Sequence, residues 1–281
     1  MSNLDRMQRF TFDKTDVRGE LVGLHKSLST VLSKHDYPEV LKIELGKLMA
    51  ASALMSATLK YEGRLCLQVR LPGDVSLIQA ETTNTGELRA IARYDESKDI
   101  EAVELIGGQL VITLEPAVGK PYQGIVPLES NRLNEAFEYY FNQSEQLGSR
   151  FWLECDGIIA SGFMLQQLPA AEGSDGDAWD RLSHLASTLK DEELLQLNNE
   201  TILHRLYHDE EVRLYDEEEL RFACTCSKER IGNAISQMGL EELMDVIAEQ
   251  GKVSVDCQFC LQHYSFNKEQ IGDLFPEKKL H

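Results

Sequence analysis

The chain has 281 residues, 42% of them hydrophobic, so it is long enough for one large globular domain and one or two smaller ones. Its 28 Lys and Arg are outnumbered by 47 Asp and Glu, which gives a net charge of -19. Such a surface repels nucleic acid and anionic membranes, so we expect neither as a partner. Residues 1–12 lack a secretory signal pattern and no apolar stretch is long enough to span a bilayer, which together predict a cytoplasmic protein.

Residues 1–177 are predicted to form an N-terminal α+β core domain, in which helices pack on an antiparallel sheet. Weak alternation over Met7–Asp13 predicts an edge strand, and apolar residues at helical spacing predict a helix from Leu21 that ends near His35 and Asp36. Pro38 suits the first turn of a second helix. Because that helix contains the small-residue run Ala50–Ala53, we expect it to be buried on several sides.

From Gly63 onward the apolar residues alternate with polar ones, which predicts a meander of antiparallel strands. Gly107 and Gly108 predict a tight hairpin between two of these strands, and Asp156-Gly157 predicts another. The predicted strands cover residues 63–70, 76–81, 87–94, 102–106, 109–114, 150–155 and 158–165. A helix capped by Ser130 carries the aromatic cluster Phe137, Tyr139, Tyr140 and Phe141, which is more typical of a core than of a binding surface.

The small, acidic, glycine-containing stretch Ala170–Asp177 is the predicted boundary of the first domain. Residues 178–223 follow as an amphipathic acidic linker, which we expect to be helical. Two interpretations of the linker remain open. It is either a helix pair packed permanently on the first domain or a releasable interaction surface with a leucine-rich face.

Residues 224–281 contain four of the six cysteines and are predicted to form a small C-terminal domain. Cys224-Thr-Cys226 is called the first hook below, and Cys257-Gln-Phe-Cys260 the second hook. Two short cysteine hooks separated in sequence are typical of a closed tetrahedral zinc site. A domain this small has a marginal apolar core, so bound metal is expected to hold it folded.

Three functions are compatible with this pattern. A constitutive zinc ribbon would never change state and would serve as an adaptor. Oxidation of the thiolates to disulfides would instead eject the metal and unfold the domain. The second hook could also be the catalytic dithiol of a thiol-disulfide oxidoreductase, although that motif belongs at the start of a helix in a βαβ unit.

The whole chain resembles the redox-regulated holdase chaperones of the thirty-three-kilodalton heat-shock protein family. The motifs that carry the resemblance are Arg221–Arg230 with the first hook, the second hook with Tyr264 and Phe266, Tyr140–Gln146, Gly162–Pro169, Gly124–Leu128 and Tyr61–Gly63. The resemblance implies a non-enzymatic chaperone that binds unfolded or oxidatively damaged client proteins without ATP. It also implies a monomer when reduced and a homodimer when oxidised.

The resemblance further implies the roles of the cysteines. Cys224, Cys226, Cys257 and Cys260 would bind one Zn²⁺ per chain in the reduced state, and the expected disulfides are Cys224–Cys226 and Cys257–Cys260. No residue is expected to be catalytic or to bind another cofactor.

Three further residues have simpler interpretations. Cys66 and Cys155 have no cysteine neighbour and are expected to be buried as small apolar residues. His263, close to the second hook, is expected at the surface or beside the ligands, since four thiolates already complete a tetrahedron.

Overall fold

The computed structural model describes residues 4–58, 62–169 and 175–275. It divides into two compact units, Met1–Ala223 and Cys224–His281. Tyr61 of the family motifs and residues 170–174 of the predicted domain boundary lie outside the described residues. Within them, no helix is long and apolar enough to cross a membrane.

Two sheets build the first unit. Its strands are β1 Arg6–Phe12, β2 Val17–Leu24, β3 Gly63–Arg70, β4 Val75–Thr83, β5 Glu87–Tyr94, β6 Gln109–Pro116, β7 Tyr122–Pro127, β8 Ser149–Cys155, β9 Ala160–Gln167, β10 Val212–Glu219 and β11 Arg221–Phe222. Sheet A has the order β10-β1-β2-β9-β8 and sheet B the order β11-β5-β4-β3-β6-β7. All neighbouring strands are antiparallel except β11, which runs parallel to β5.

The helices of this unit cover the sheets in layers. They are α1 Lys26–Leu32, α2 Glu39–Thr58, α3 Leu133–Tyr140, α4 Ala178–Ala186, α5 Asp191–Gln196 and α6 Asn199–Tyr207, and a π-helical turn, Phe141–Glu145, continues α3. Helix α2 packs against strands of both sheets, and its buried residues therefore lie on several sides, as predicted. The opposite face of sheet A packs on α4 and α6, where Phe10, Phe12 and Phe163 meet Leu182 and Leu206 in a second core.

The predicted fold class, α+β with antiparallel sheets, is confirmed, but four local predictions are wrong. Helix α3 has Arg132 at its N-cap and no side-chain cap hydrogen bond, so Ser130 does not cap it. Residues 21–24 are the end of β2 instead of the start of a helix, because β2 pairs with β1 and β9. This strand is buried on both faces, so its apolar residues do not alternate with polar ones as they would in a half-exposed strand. Residues 102–106 form no strand, since β6 pairs with β3 and β7. Strand β1 is internal to its sheet because β10 covers its second edge.

The predicted linker residues belong to the first unit. Their first part is helical as predicted, in α4, α5 and α6. The leucines of these helices are buried against sheet A, which agrees with the packed arrangement and leaves the release of the segment a prediction. The acidic residues that follow form β10, which the sequence pattern did not indicate.

The second unit is small. It contains α7 Lys228–Ile235, a 3-10 turn Ser236–Met238, α8 Leu240–Gln250, the antiparallel hairpin β12 Val253–Asp256 and β13 His263–Phe266, and α9 Lys268–Asp273. Its buried apolar core consists of Ile235, Leu243, Ile247, Val253, Phe266 and Ile271.

Candidate metal centre

Local turns position each hook. The first hook immediately precedes α7, whose N-cap Ser227 accepts a hydrogen bond from the Arg230 N–H at 3.2 Å. The Arg230 guanidinium donates to the carbonyl of Thr225, the residue inside the hook, at 3.0 Å. The backbone of the first hook is therefore held from the start of α7.

The second hook lies in the turn that joins β12 to β13. The Cys257 N–H donates to the Gln262 carbonyl at 3.0 Å, and the Leu261 N–H donates to the Cys257 carbonyl at 2.7 Å. Leu261 closes the turn in a left-handed conformation, with φ of 61°. This hook is thus a reverse turn between antiparallel strands, not the beginning of a helix.

The four sulfur atoms converge in one cluster. Sγ atoms of Cys224, Cys226, Cys257 and Cys260 all lie within 4.8 Å of one another. The Sγ atoms of Cys224 and Cys257 lie 3.6 Å apart and those of Cys226 and Cys260 lie 3.4 Å apart. Four thiolates at Zn–S distances of about 2.3 Å form a tetrahedron with edges of about 3.8 Å, so this donor set fits zinc in both number and spacing. Among the described residues, no other group of His, Cys, Asp or Glu is arranged to hold a metal ion.

A tyrosine supports the cluster from β13. The Tyr264 hydroxyl donates a hydrogen bond to Cys226 Sγ at 3.1 Å. Burial raises the pKa of Cys226, but this bond and bonds from neighbouring thiols outweigh it and the net pKa is lowered. Burial and the proximity of the other sulfurs raise the pKa of Cys260 to about 12. One thiol therefore ionises well before another, as expected when several acidic groups share a small volume.

The sequence did not assign Tyr264 this hydrogen bond, since the residue stood out only as part of a family motif. The available signal was its position on the strand that follows the second hook. His263 is exposed at the surface and its Nδ1 lies 2.7 Å from Asp256 Oδ1, outside the sulfur cluster. This agrees with its predicted place at the surface.

The two remaining cysteines are buried in the first unit, as predicted. Burial raises the pKa of the Cys66 thiol to about 12 and that of Cys155 to about 11. Both therefore stay protonated and unreactive at neutral pH. The aromatic cluster on α3 is also mainly core, since Phe137, Tyr140 and Phe141 are buried and Tyr139 is exposed.

Known proteins resemble this chain over nearly its whole length. Residues 5–267 match the family described as Hsp33 protein. Proteins named 33 kDa chaperonin from Pseudomonas syringae pv. syringae (strain B728a) and Pseudomonas fluorescens (strain SBW25) are 48% and 45% identical to it. The alignments cover 97% and 98% of this chain and 94% and 95% of those proteins.

A solved structure also shares the fold. The 33 kDa chaperonin (heat shock protein 33 homolog) from Thermotoga maritima superimposes with a TM-score of 0.80, over 98% of this chain and 99% of that one, at 23% identity. The family predicted from the motifs is confirmed by the sequence matches, and so is the prediction that the protein is not an enzyme. The chain belongs to the Hsp33 family, a family of non-enzymatic chaperones.

Proposed function

We propose that this chain is an ATP-independent holdase, inactive when reduced and zinc-bound and activated by oxidation of Cys224, Cys226, Cys257 and Cys260. The observation that carries the proposal is the convergence of these four sulfurs within 4.8 Å in a unit with a very small core. Membership of a chaperone family supports unfolded or oxidatively damaged proteins as the clients. The cytoplasm, a reducing compartment, would maintain the inactive state.

In the reduced state the two hooks hold one Zn²⁺ between them. Such an ion would offset part of the negative charge of the four thiolates and tie the two hooks together, in place of the larger core that the unit lacks. An apolar core of this size supplies at most about 3–5 kcal/mol, whereas zinc binding in small modules supplies about 10–16 kcal/mol. The fold of residues 224–275 therefore depends on the four sulfur donors.

Oxidation by a peroxide removes those donors. One thiolate of a hook attacks the peroxide oxygen and becomes a sulfenic acid, and its neighbour then displaces hydroxide from that sulfur to form the disulfide. Each disulfide consumes two thiolates and one peroxide. A disulfide no longer binds the cation, so the unit loses its cross-link and unfolds.

We propose that the disulfides form within the hooks, Cys224–Cys226 and Cys257–Cys260, as the family resemblance implies. Sulfur atoms of different hooks lie as close as 3.4 Å in the folded unit, but all four atoms are within 4.8 Å of one another, so distance does not select a pairing. Chain connectivity favours the neighbours, because they stay close after the unit opens whereas cysteines of different hooks diffuse apart.

Unfolding of the second unit then has a consequence for residues 178–223. In the folded chain their leucines are buried against Phe10, Phe12 and Phe163 of sheet A, so this apolar surface is closed to clients. Loosening of the segment exposes it, and the activated chain binds clients and pairs as a homodimer. The net charge of -19 opposes aggregation of such complexes.

Two other functions are less well supported. A thiol-disulfide oxidoreductase needs its dithiol at the start of a helix that follows a strand, and the second hook instead lies in a hairpin turn between β12 and β13. A constitutive zinc adaptor would use the same four sulfurs without oxidation, but the family is one of chaperones.

One oxidised sample tests the proposal through three measurements: zinc release, far-UV circular dichroism and protection of an unfolding client from aggregation. We expect oxidation to release about one zinc per chain and to reduce the helical circular dichroism signal, because α7 and α8 unfold. Protection of the client from aggregation should appear in the same sample. Persistent zinc with no protection would favour the adaptor, and catalytic turnover of a dithiol substrate would favour the oxidoreductase. Client protection by the reduced protein would contradict the switch.

A further inference from the structure

One short segment covers an edge of each sheet in the first unit. Strand β10 pairs with β1 at the edge of sheet A, and β11 pairs with β5 at the edge of sheet B. Between them Leu220 is buried in the main core. We call Val212–Phe222 the edge strap, and only Ala223 separates it from the first hook.

Few side chains hold β10 in place. Val212 and Leu214 are half-buried against the second core, while Arg213 and the residues from Tyr215 to Glu219 are exposed. Four consecutive acidic residues, 216–219, repel one another along this strand. The pairing with β1 also shifts register between Gln8 and Phe10, which interrupts the ladder. Besides its backbone hydrogen bonds, the strap is held by the buried Leu220 and the partly buried Phe222. Gln8 Nε2 also donates to the Tyr215 carbonyl at 2.9 Å, and Arg221 forms an ion pair with Glu87 at 2.7 Å.

The edge of β1 that the strap covers can pair with an extended strand. At the two ends of the pairing, the Asp13 N–H donates to the Glu211 carbonyl and the Leu220 N–H donates to the Asp5 carbonyl, each at 3.0 Å. In an antiparallel ladder every second residue faces the partner strand, so the odd-numbered residues of β1 present their N–H and C=O groups to β10. Phe10 and Phe12 of the same strand lie in the apolar second core beside this edge.

We propose that the β1 edge, once the strap detaches, binds an extended segment of an unfolded polypeptide as an added strand in the place of β10. The inference rests on the proposed function, in which opening of the second unit frees the segment before it. Backbone hydrogen bonds are available in any sequence, so strand addition suits clients that share no motif. Alternate apolar side chains of the client would take the places of Val212 and Leu214 beside the second core.

A matched pair of variants tests whether the strap masks this edge. By the alternation of the ladder, the Glu218 N–H faces β1 and the Glu217 N–H faces solvent. Glu218→Pro removes a bond of the pairing, whereas Glu217→Pro removes the same charge and leaves the pairing intact. Adding Arg213→Pro to Glu218→Pro removes a second donor. Fast hydrogen exchange of the Met7 and Thr11 amides reports that the strap has detached.

Binding is measured on the reduced, zinc-loaded chains with a fluorescent peptide of alternating apolar and polar residues. We expect the Glu218→Pro chain, or the double variant, to bind it at least tenfold more tightly than the Glu217→Pro chain, with zinc content unchanged. The same peptide methylated on its backbone nitrogens keeps its side chains but cannot donate to a strand, and we expect it to lose this binding. Equal binding of the two peptides, or no binding by a chain with a detached strap, would overturn strand addition.

The remaining outcomes separate this inference from the proposed function. If the oxidised natural chain protects clients but binds both peptides equally, the redox switch stands and the β1 edge is not the client site. If the variant binds only the unmethylated peptide while oxidation of the natural chain gives no protection, the edge site stands and the switch fails. If the detached strap instead pairs with a second copy, size-exclusion chromatography shows a dimer that excludes the peptide, and the proposed occupant is wrong.

Discussion

The proposed dependence of the second unit on a bound zinc ion gives a quantitative prediction for Leu243→Ala. Leu243 lies in α8 and is fully buried, at 0% exposure, in the six-residue core of this unit. Truncating a buried leucine to alanine costs about 2–5 kcal/mol, because apolar contacts are lost and a cavity remains. A loss near 3 kcal/mol is comparable to all the stability that such a core supplies.

If the metal-free unit is unfolded, the measured free energy of zinc binding includes the free energy of folding this unit. The loss of folding free energy in Leu243→Ala then lowers the apparent zinc affinity by the same amount. A cost of about 3 kcal/mol corresponds to about 100-fold weaker binding. Chelator competition measures that affinity, and far-UV circular dichroism follows the helices in the same titration. We also expect the variant to release zinc at lower peroxide concentrations than the natural chain.

Leu182→Ala is the matched control. Leu182 is equally buried, at 0% exposure, but lies in the second core of the first unit. It should lower the unfolding free energy of that unit by a similar amount and leave the zinc affinity unchanged. The reasoning is refuted if Leu243→Ala binds zinc within about twofold of the natural affinity, since the metal-free unit would then already be folded.

Three further results are expected. Tyr264→Phe removes the hydrogen bond to Cys226 and should weaken zinc binding about tenfold in chelator competition; an unchanged affinity would show that the hydroxyl is dispensable. Peptide mapping of the peroxide-treated chain should find each disulfide inside one hook, and bonds between the hooks would contradict the pairing. Burial raises the pKa of the Cys66 thiol to about 12, so the folded chain holds this proton more tightly than the unfolded chain does. The contribution of Cys66 to the unfolding free energy is therefore complete below the ordinary thiol pKa of about 8.5 and is lost as the pH rises toward 12. In Cys66→Ala, the unfolding free energy should fall less steeply with pH, by up to about 1.4 kcal/mol per pH unit. Urea unfolding followed by the fluorescence of Trp152 and Trp179, both in the first unit, measures this free energy at each pH. The same pH dependence in the variant and the natural chain would contradict the prediction.

Alternation in sequence made several strands predictable, whereas β2 and β10 were missed. Strands β3, β4 and β5 have the expected period of two and lie where the pattern predicts them. Strand β2 has buried residues on both faces, and its apolar spacing resembles that of a helix. Strand β10 contains four acidic residues, which are depleted in strands, and only pairing with β1 places it in a sheet.

The cluster of four sulfurs was predictable because each pair of cysteines is local in sequence. Each hook places two sulfurs within a few residues, and cysteine has few roles at such spacing in a reducing compartment. The Tyr264 hydrogen bond was not predictable, since it depends on which residue of β13 lies beside the first hook after the hairpin has formed. Spacing therefore predicts the ligands, whereas the groups that support them depend on the tertiary fold.

Two segments of low intrinsic stability are adjacent in the chain, and this adjacency gives the proposed switch a physical basis. The second unit has a buried core of only six residues, and the edge strap has few buried side chains and a run of like charges. Leu220 and the Ala223 N–H, which donates to the Leu88 carbonyl at 3.0 Å, anchor the strap next to the first hook. When the second unit unfolds, the chain beyond Ala223 becomes disordered and gains entropy by freeing further residues. Because backbone bonds at a sheet edge are each worth only about 1 kcal/mol net, release of the strap is opposed by a few such bonds, by the burial of Leu220 and Phe222 and by the ion pair of Arg221 with Glu87.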